Sequence, residues 1–338
     1  MKVLRMLLIF VLAAFSSCSS SKDKLYLFSW SEIFKPELIK EFEEKFDCKV
    51  VIAIYDSNES MYAKLKLGAS GYDLIFPSSY YCDILAKQGM IQPLDPKKIP
   101  NISLLDPAYY KETYPIFGVP FLIGFSGLAY RQDRLQKIEP SWNVFAREDL
   151  KGRMTMLNDF RDALGAALKF LGYSINSKNP IEVDKAADQL IKWKKNLAKF
   201  ESEQYKSGIA SAEFLIVQGH TIDVAKLRRE DPNILFVYPN EGAIMAIDYM
   251  AIPKEAKNPA LASAFINFML EPSIATQNIT YINALIPVLP AYELLDQNLK
   301  QDPILFPPSH AAEKMEIIQD LKEETKLYFQ AWDKVKAS

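Results

Sequence analysis

Hydrophobic positions along the chain follow two periods that alternate. Residues 25–29 form a short run rich in Leu, Tyr and Phe, which predicts a strand. Pro36 stands at a helix-start position, and Leu38, Ile39, Phe42 and Phe46 then recur at helical spacing over 37–46. The same pair repeats: 49–54 predicts a strand, 61–67 a helix, 73–76 a strand, and 83–88 a helix closed by Gly89. This β-α-β-α-β order predicts a parallel sheet with right-handed crossovers. Residues 118–130 are apolar and strand-like and carry the chain onward. Ser141 and Trp142 mark a helix start, and 149–153 a turn. A strand is predicted at 153–157, a helix at 160–171, and a long helix at 180–197 with Val183, Ala187, Leu190 and Trp193 on one face. Strands follow at 214–217, 234–238 and 244–252, the last as a return crossing, and 258–270 is helical. The alternation defines an α/β fold class.

The N-terminus changes the picture from fold to compartment. Lys2 and Arg5 precede an apolar run at 6–14, which is far shorter than the roughly 20 residues a membrane-spanning helix needs. Ser16 and Ser17 then precede Cys18 and a serine run. This arrangement resembles a bacterial lipobox, with Phe15 where leucine is more usual. It implies a lipoprotein signal peptide over 1–17 and a lipidated Cys18. An ordinary cleaved leader with an incidental cysteine is the plainer alternative. The formal charge of −2 becomes more negative once Lys2 and Arg5 leave, and no basic stripe points to nucleic acid. A chain of 338 residues, 49% hydrophobic, exceeds the usual size of a single core, so two lobes are expected. Cys48 precedes one strand and Cys82 follows another, at opposite edges of a parallel sheet, so both are expected as free thiols. The two histidines are too few for a histidine metal site or a Ser/His/Asp triad. No metal or cofactor is expected.

Candidate chemistry gathers at the C-terminal ends of strands, where open α/β sheets bind ligands. Trp30, Ser31 and Glu32 follow the first strand, and Ser78, Ser79 and Tyr80 follow the third. Asn158, Asp159, Phe160, Arg161 and Asp162 open the helix after the strand at 153–157. Asp248 stands in an apolar strand, where an ionised carboxylate costs several kcal/mol unless it is paired. Carboxylates with aromatic faces are what a flexible aliphatic polycation requires. Each feature also has a plain reading. Trp30 can be a core aromatic and Glu32 a helix-capping acid, Pro77-Ser78-Ser79 a turn, and Asp159 with Asp162 a capping box.

These segments, from about Lys24 to the C-terminus, resemble the spermidine/putrescine-binding proteins of ABC importers. The resemblance implies a two-lobed periplasmic binding protein of type II, each lobe a mixed sheet flanked by helices. The first lobe would take 22–127 plus 249–294, and the second 128–248 plus 295–338. It implies that Trp30, Ser31 and Glu32 pack the polyamine chain and bind one terminal amine, with Ser78 and Tyr80 as further contacts. Asp159 and Asp162 would hold a primary amine and Asp248 would be a second amine-binding acid, with Ser202 a weaker contact. The expected arrangement puts Asp248 and Asp162 around one ammonium and Glu32 at the other end.

The chain departs from the family at several positions. Asp162 is one methylene shorter than the family's Glu. Ile33, Gln218, Ala246 and Ala284 stand where the family has aromatics, and Ile318 where it has Gln, with Gln319 adjacent. The acids are kept while the aromatic box is reduced. Substitute contacts are expected from Gln218 to Thr221, with Phe125, Tyr249 or His220 as a changed wall.

The expected function is therefore that of a monomeric, lipid-anchored extracytoplasmic protein. It would capture putrescine or spermidine and deliver it to the permease and ATPase of an ABC importer. Three alternatives stay open: another small cationic metabolite, ferric ion held through Tyr80 and Tyr81, or a sensor or adhesin retaining the fold. Iron binders of this architecture carry their tyrosine pair in the second lobe, unlike Tyr80 and Tyr81. Paired carboxylates could serve a glycosidase, but no hydrolase motif or nucleophile–base constellation accompanies them, and no enzyme is expected.

Overall fold

The computed structural model describes residues 22–68, 70–110 and 116–338; the segment 1–17 and Cys18 lie outside the described residues. Strand β1 (Asp23–Ser29) leads into helix α1 (Pro36–Lys45), β2 (Cys48–Ile54), α2 (Asn58–Lys66), β3 (Leu74–Ile75) and α3 (Ser79–Lys87). β1 lies between β2 and β3 and is parallel to both. An antiparallel bridge from Ile75 to Ala251 gives this sheet its mixed character. Pro36 starts α1, whose Leu38 and Phe42 are fully buried, each contributing about 1.5–3 kcal/mol.

The second sheet is built around β4 (Val119–Arg131). After it come β5 (Met154–Met156), α4 (Phe160–Phe170), α5 (Pro180–Lys194), β6 (Lys199–Phe200), β7 (Ile216–His220) and α6 (Thr221–Glu230). The chain continues through β8 (Ile234–Val237), β9 (Ile244–Met250), α7 (Pro259–Met269) and α8 (Pro272–Ile282), and ends with β10 (Glu316–Ile317) and α9 (Thr325–Ala337). The strand order is β10-β9-β4-β7-β5-β6, with β8 also paired to β4. β4 runs antiparallel to β7, β8 and β9.

Two cores result. The larger gathers Leu27, Phe42, Phe121, Phe265 and Ile286, and the other gathers Trp142, Leu164, Trp193 and Tyr328. β4 serves both, giving Phe121, Ile123 and Phe125 to the first and Leu128 and Tyr130 to the second. The C-terminal segment is divided as well. Leu295, Leu305 and Ala311 pack in the larger core, whereas Leu321, Tyr328 and Val335 pack in the other. Short apolar stretches without a helical period give no local sign of this division.

Cys48 and Cys82 are buried free thiols. Gly118 admits Cys82, whose Sγ stands 2.6 Å from where a side chain on that glycine would begin. Among the described residues no helix is long and apolar enough to cross a membrane.

Candidate functional site

The site is laid out on the antiparallel pair β4–β9. Leu122 lies opposite Asp248, Gly124 opposite Ala246, and Ser126 opposite Ile244. Directly opposed residues two apart share one face of a sheet. Asp248 and Ser126 therefore stand at two ends of one strip, with the small Gly124 and Ala246 between them. From Ile244 to Asp248 the strand advances by about 13 Å. A methyl of Ile222 on α6 overlies Gly124, 3.7 Å from the position of a Cβ there.

At the first end, Asp248 is held by neutral donors. Ser78 Oγ donates to its Oδ1 at 2.7 Å. Ser78 is in turn fixed by Asn58, whose Nδ2 donates to Ser78 Oγ at 2.9 Å while its Oδ1 accepts from Ser78 N at 3.0 Å. The Trp30 indole Nε1 donates to Phe76 O at 3.0 Å, and its ring packs edge-on against Tyr55. Burial pushes the Asp248 carboxyl up to about 6; the Ser78 hydroxyl, His220 and Trp30 pull the other way. Burial dominates because nearby hydroxyls and an indole offset only part of the lost hydration.

At the second end, Asp159 caps α4, accepting from Arg161 N at 2.7 Å and Asp162 N at 3.1 Å. Asp162 is buried and its Oδ1 accepts from Ser126 Oγ at 2.6 Å. Burial, reinforced by the Asp162 charge, pushes the Asp159 carboxyl up to about 6. Asp159 is thus the N-cap of α4, but the Asp162 side chain turns to Ser126 and closes no capping box among the described residues. Arg161, 3% exposed, lies between the rings of Tyr80 and Tyr328. It donates to Gln319 O and Asn176 Oδ1 at 2.9 and 2.7 Å. None of Asp159, Asp162 and Asp248 joins an ion pair among the described residues.

Gln218 and Ser202 do not stand free beside these acids. Gln218 is fully buried, its Nε2 donating to Asp162 O at 3.0 Å and its Oε1 accepting from Leu157 N at 3.3 Å. Ser202 Oγ accepts from Asn158 N at 3.0 Å. Both side chains fasten the loop between β5 and α4. Of the expected wall residues, Phe125 lies in the larger core and Tyr249 packs against Gly118, while His220 sits near Asp248. Ile33 and Ala284 are core residues. Tyr80 packs with Ile175, Ile244 and Ile318. Burial drives the phenols of both Tyr80 and Tyr81 upward, which opposes the phenolate that ferric ion would need.

Glu32 differs from the other acids. It is exposed, has a left-handed backbone at φ 57°, and its Oε2 accepts from Lys226 Nζ on α6 at 2.6 Å. Lys226 holds that carboxyl below its usual range. Ser31 is exposed beside it. Asp248 and Ser126, the partner of Asp162, stand at opposite ends of the strip. Sequence reasoning did not single out Lys226, Arg161, Ser126 or Asn58. An acid-rich helix start does not flag the hydroxyl that meets it from another strand, and Glu32 does not flag a cation arriving from α6.

A family model described as bacterial extracellular solute-binding protein matches residues 37–307. The chain is 32% identical to the spermidine/putrescine-binding periplasmic protein of Escherichia coli, over 94% of this chain and 93% of that one. It is 29% identical to the putrescine/cadaverine-binding protein of Pseudomonas aeruginosa, over 98% of this chain and 99% of that one. Among solved structures, the TpPotD lipoprotein of Treponema pallidum superposes with a TM-score of 0.84 at 32% identity, covering 93% of this chain and 99% of that one.

Proposed function

Since the chain belongs to the family of bacterial extracellular solute-binding proteins, which are transport proteins and not enzymes, we propose that it captures a small polyamine, putrescine or spermidine, in the cleft between its lobes and delivers it to an ABC importer. One observation carries this reading. Asp248 at one end of the strip and Asp159 and Asp162 at the other are held by hydroxyls and backbone N–H groups, without a lysine or arginine in ion-pair contact among the described residues. Carboxylates so drawn from water stay ionised at a cost that a bound cation offsets. Gly124, Ala246 and Ile222 offer a low apolar strip to the methylenes between ammonium groups. The names of the relatives supply the ligand class. Trp30 and Ser78 complete the first end and Tyr80, beside Ile244 and Arg161, the second, as packing and positioning groups, and Glu32 with Ser31 forms the rim.

The protein acts as a monomer tethered through a lipid on Cys18. The small residues before that cysteine support the tether, as does the similarity to a spirochaete protein described as a lipoprotein. Calorimetry with putrescine, cadaverine and spermidine, on protein freed of ligand by unfolding and refolding, tests the ligand class. Saturable heat with one of them is expected; none from any of the three overturns the assignment. Cys18→Ala is expected to leave an unprocessed precursor or to release the protein from the membrane fraction. Normal processing with retention on the membrane refutes the anchor.

A further inference from the structure

We propose that Lys226 sets ligand length: its ammonium fills the acidic subsite at Glu32 from within, leaving a cleft suited to a diamine over a triamine. This inference rests on the polyamine reading and deepens it. The Nζ of Lys226 meets Glu32 Oε2 at 2.6 Å, and an alkylammonium on a carboxylate is the contact that the end of a polyamine would make.

The chain on either side of Glu32 is held in place, while its side chain stays exposed. Glu32 lies between two fixed points: Trp30, whose indole donates to Phe76 O at 3.0 Å, and Ile33, whose carbonyl accepts from Asn278 Nδ2 at 3.0 Å. Lys35 N donates to Asn278 Oδ1 at 2.8 Å on the far side. Lys226 belongs to a row of cations on α6 that all end on the larger core's elements. Arg228 pairs with Asp302, and Arg229 donates to Thr280 O and to Asn283 Oδ1 at the C-terminus of α8. The side chain of Lys226 is itself two-thirds covered, with 33% of its surface exposed.

With Glu32 answered by Lys226, the acids left without an ion-pair partner among the described residues are those of the inner end, Asp159, Asp162 and Asp248. A triamine that reached Glu32 would have to displace Lys226 and leave its ammonium partly covered and unpaired, which costs affinity.

The test measures putrescine and spermidine affinities by calorimetry for the full chain and for Lys226→Met, Lys226→Arg, and Lys226→Met combined with Glu32→Gln. The methionine keeps the aliphatic stem and removes the charge, and the arginine keeps the charge. The unaltered protein is expected to favour putrescine. Lys226→Met should shift the spermidine-to-putrescine affinity ratio toward spermidine by about two- to fivefold. The double variant should lose that gain, and Lys226→Arg should keep the original preference. An unaltered ratio in Lys226→Met, a gain that persists without Glu32, or an initial preference for spermidine overturns the proposal while leaving the polyamine reading intact. No binding of either amine by any of the four proteins removes that reading and the proposal together.

Discussion

The two ends of the proposed ligand path contain the same functional group in opposite circumstances. At the inner strip, Asp159, Asp162 and Asp248 are held by hydroxyls and amides, which orient a carboxylate without cancelling its charge. At the rim, Glu32 is exposed and already matched by Lys226. An acid that is withdrawn from water and met only by neutral donors is poised for a cation from outside. An acid that faces solvent and meets a lysine is largely satisfied. Residue type alone makes Glu32 and Asp248 equivalent; their neighbours separate them.

The sharpest way to break this contrast is to neutralise one acid at each end. Asp248→Asn is expected to weaken amine binding by about 2–5 kcal/mol, because it leaves a ligand ammonium in a partly desolvated site without its partner. Calorimetry would read this as a loss of about 30-fold to several thousand-fold. A loss smaller than that from Glu32→Gln would invert the comparison.

The next largest effect concerns the scaffold beneath the inner end. Gln218→Leu removes the amide that joins Leu157 N to Asp162 O, leaving Leu157 N without that acceptor while Asp162 O keeps its partner within α4. The expected cost is about 1–3 kcal/mol of stability for the group left unpaired, read in denaturant melts of ligand-free protein. Unchanged stability together with weakened binding would return Gln218 to the ligand itself.

Acidity separates the ends through two opposite trends. Asp159 and Asp248 titrate near 6 in the folded protein against 3.8 ordinarily. Their raised values mean that ionisation costs stability. Their contribution is full below 3.8 and is lost as pH rises through about 6, so the ligand-free fold gains from these groups on acidification. Amine affinity runs the other way. It is full above pH 6 and falls by up to about tenfold per carboxylate for each pH unit below it. Melts and calorimetry between pH 5 and 8 would show both; affinity that does not change over that range would place the bound cation elsewhere.

Glu32→Gln is expected to have the smallest effect, below about 1 kcal/mol on putrescine binding, as for exposed ion pairs generally. A loss rivalling that of Asp248→Asn would mean that a ligand ammonium takes the place of Lys226.

Much of this molecule was legible in the order of its residues. The strands and helices from Leu25 to Gly89 follow from periods of two and 3.6, and Trp30, Ser78 and Asp159 mark strand exits in a fold whose exits carry ligands. What stayed hidden depends on which face a side chain takes and on which distant element meets it. Gln218 lies on a strand beside the acids, but its pairing turns it to the backbone of α4. Ala246 and Gly124 become one surface only through the β4–β9 register, which no local pattern announces. Lys226 sits among the charged residues of α6, and its partner lies 194 positions away in the chain. The division of 295–338 between cores was hidden for the same reason: one short strand and several brief helices take their places from their neighbours.

The row of cations on α6 has a consequence in terms of ionic strength. Lys226, Arg228 and Arg229 tie α6, whose Val224 packs in a smaller cluster with Tyr205 and Val217, to elements of the larger core through contacts near solvent. Charges near solvent are screened over about 8 Å at physiological salt and over shorter distances as salt rises, while covered charges are screened less. Salt therefore loosens the hold of α6 on the larger core before it weakens the grip of the inner acids. Outside the cytoplasmic membrane, where a cell's surroundings set the ion concentration, the electrolyte itself becomes an influence on how firmly α6 is seated.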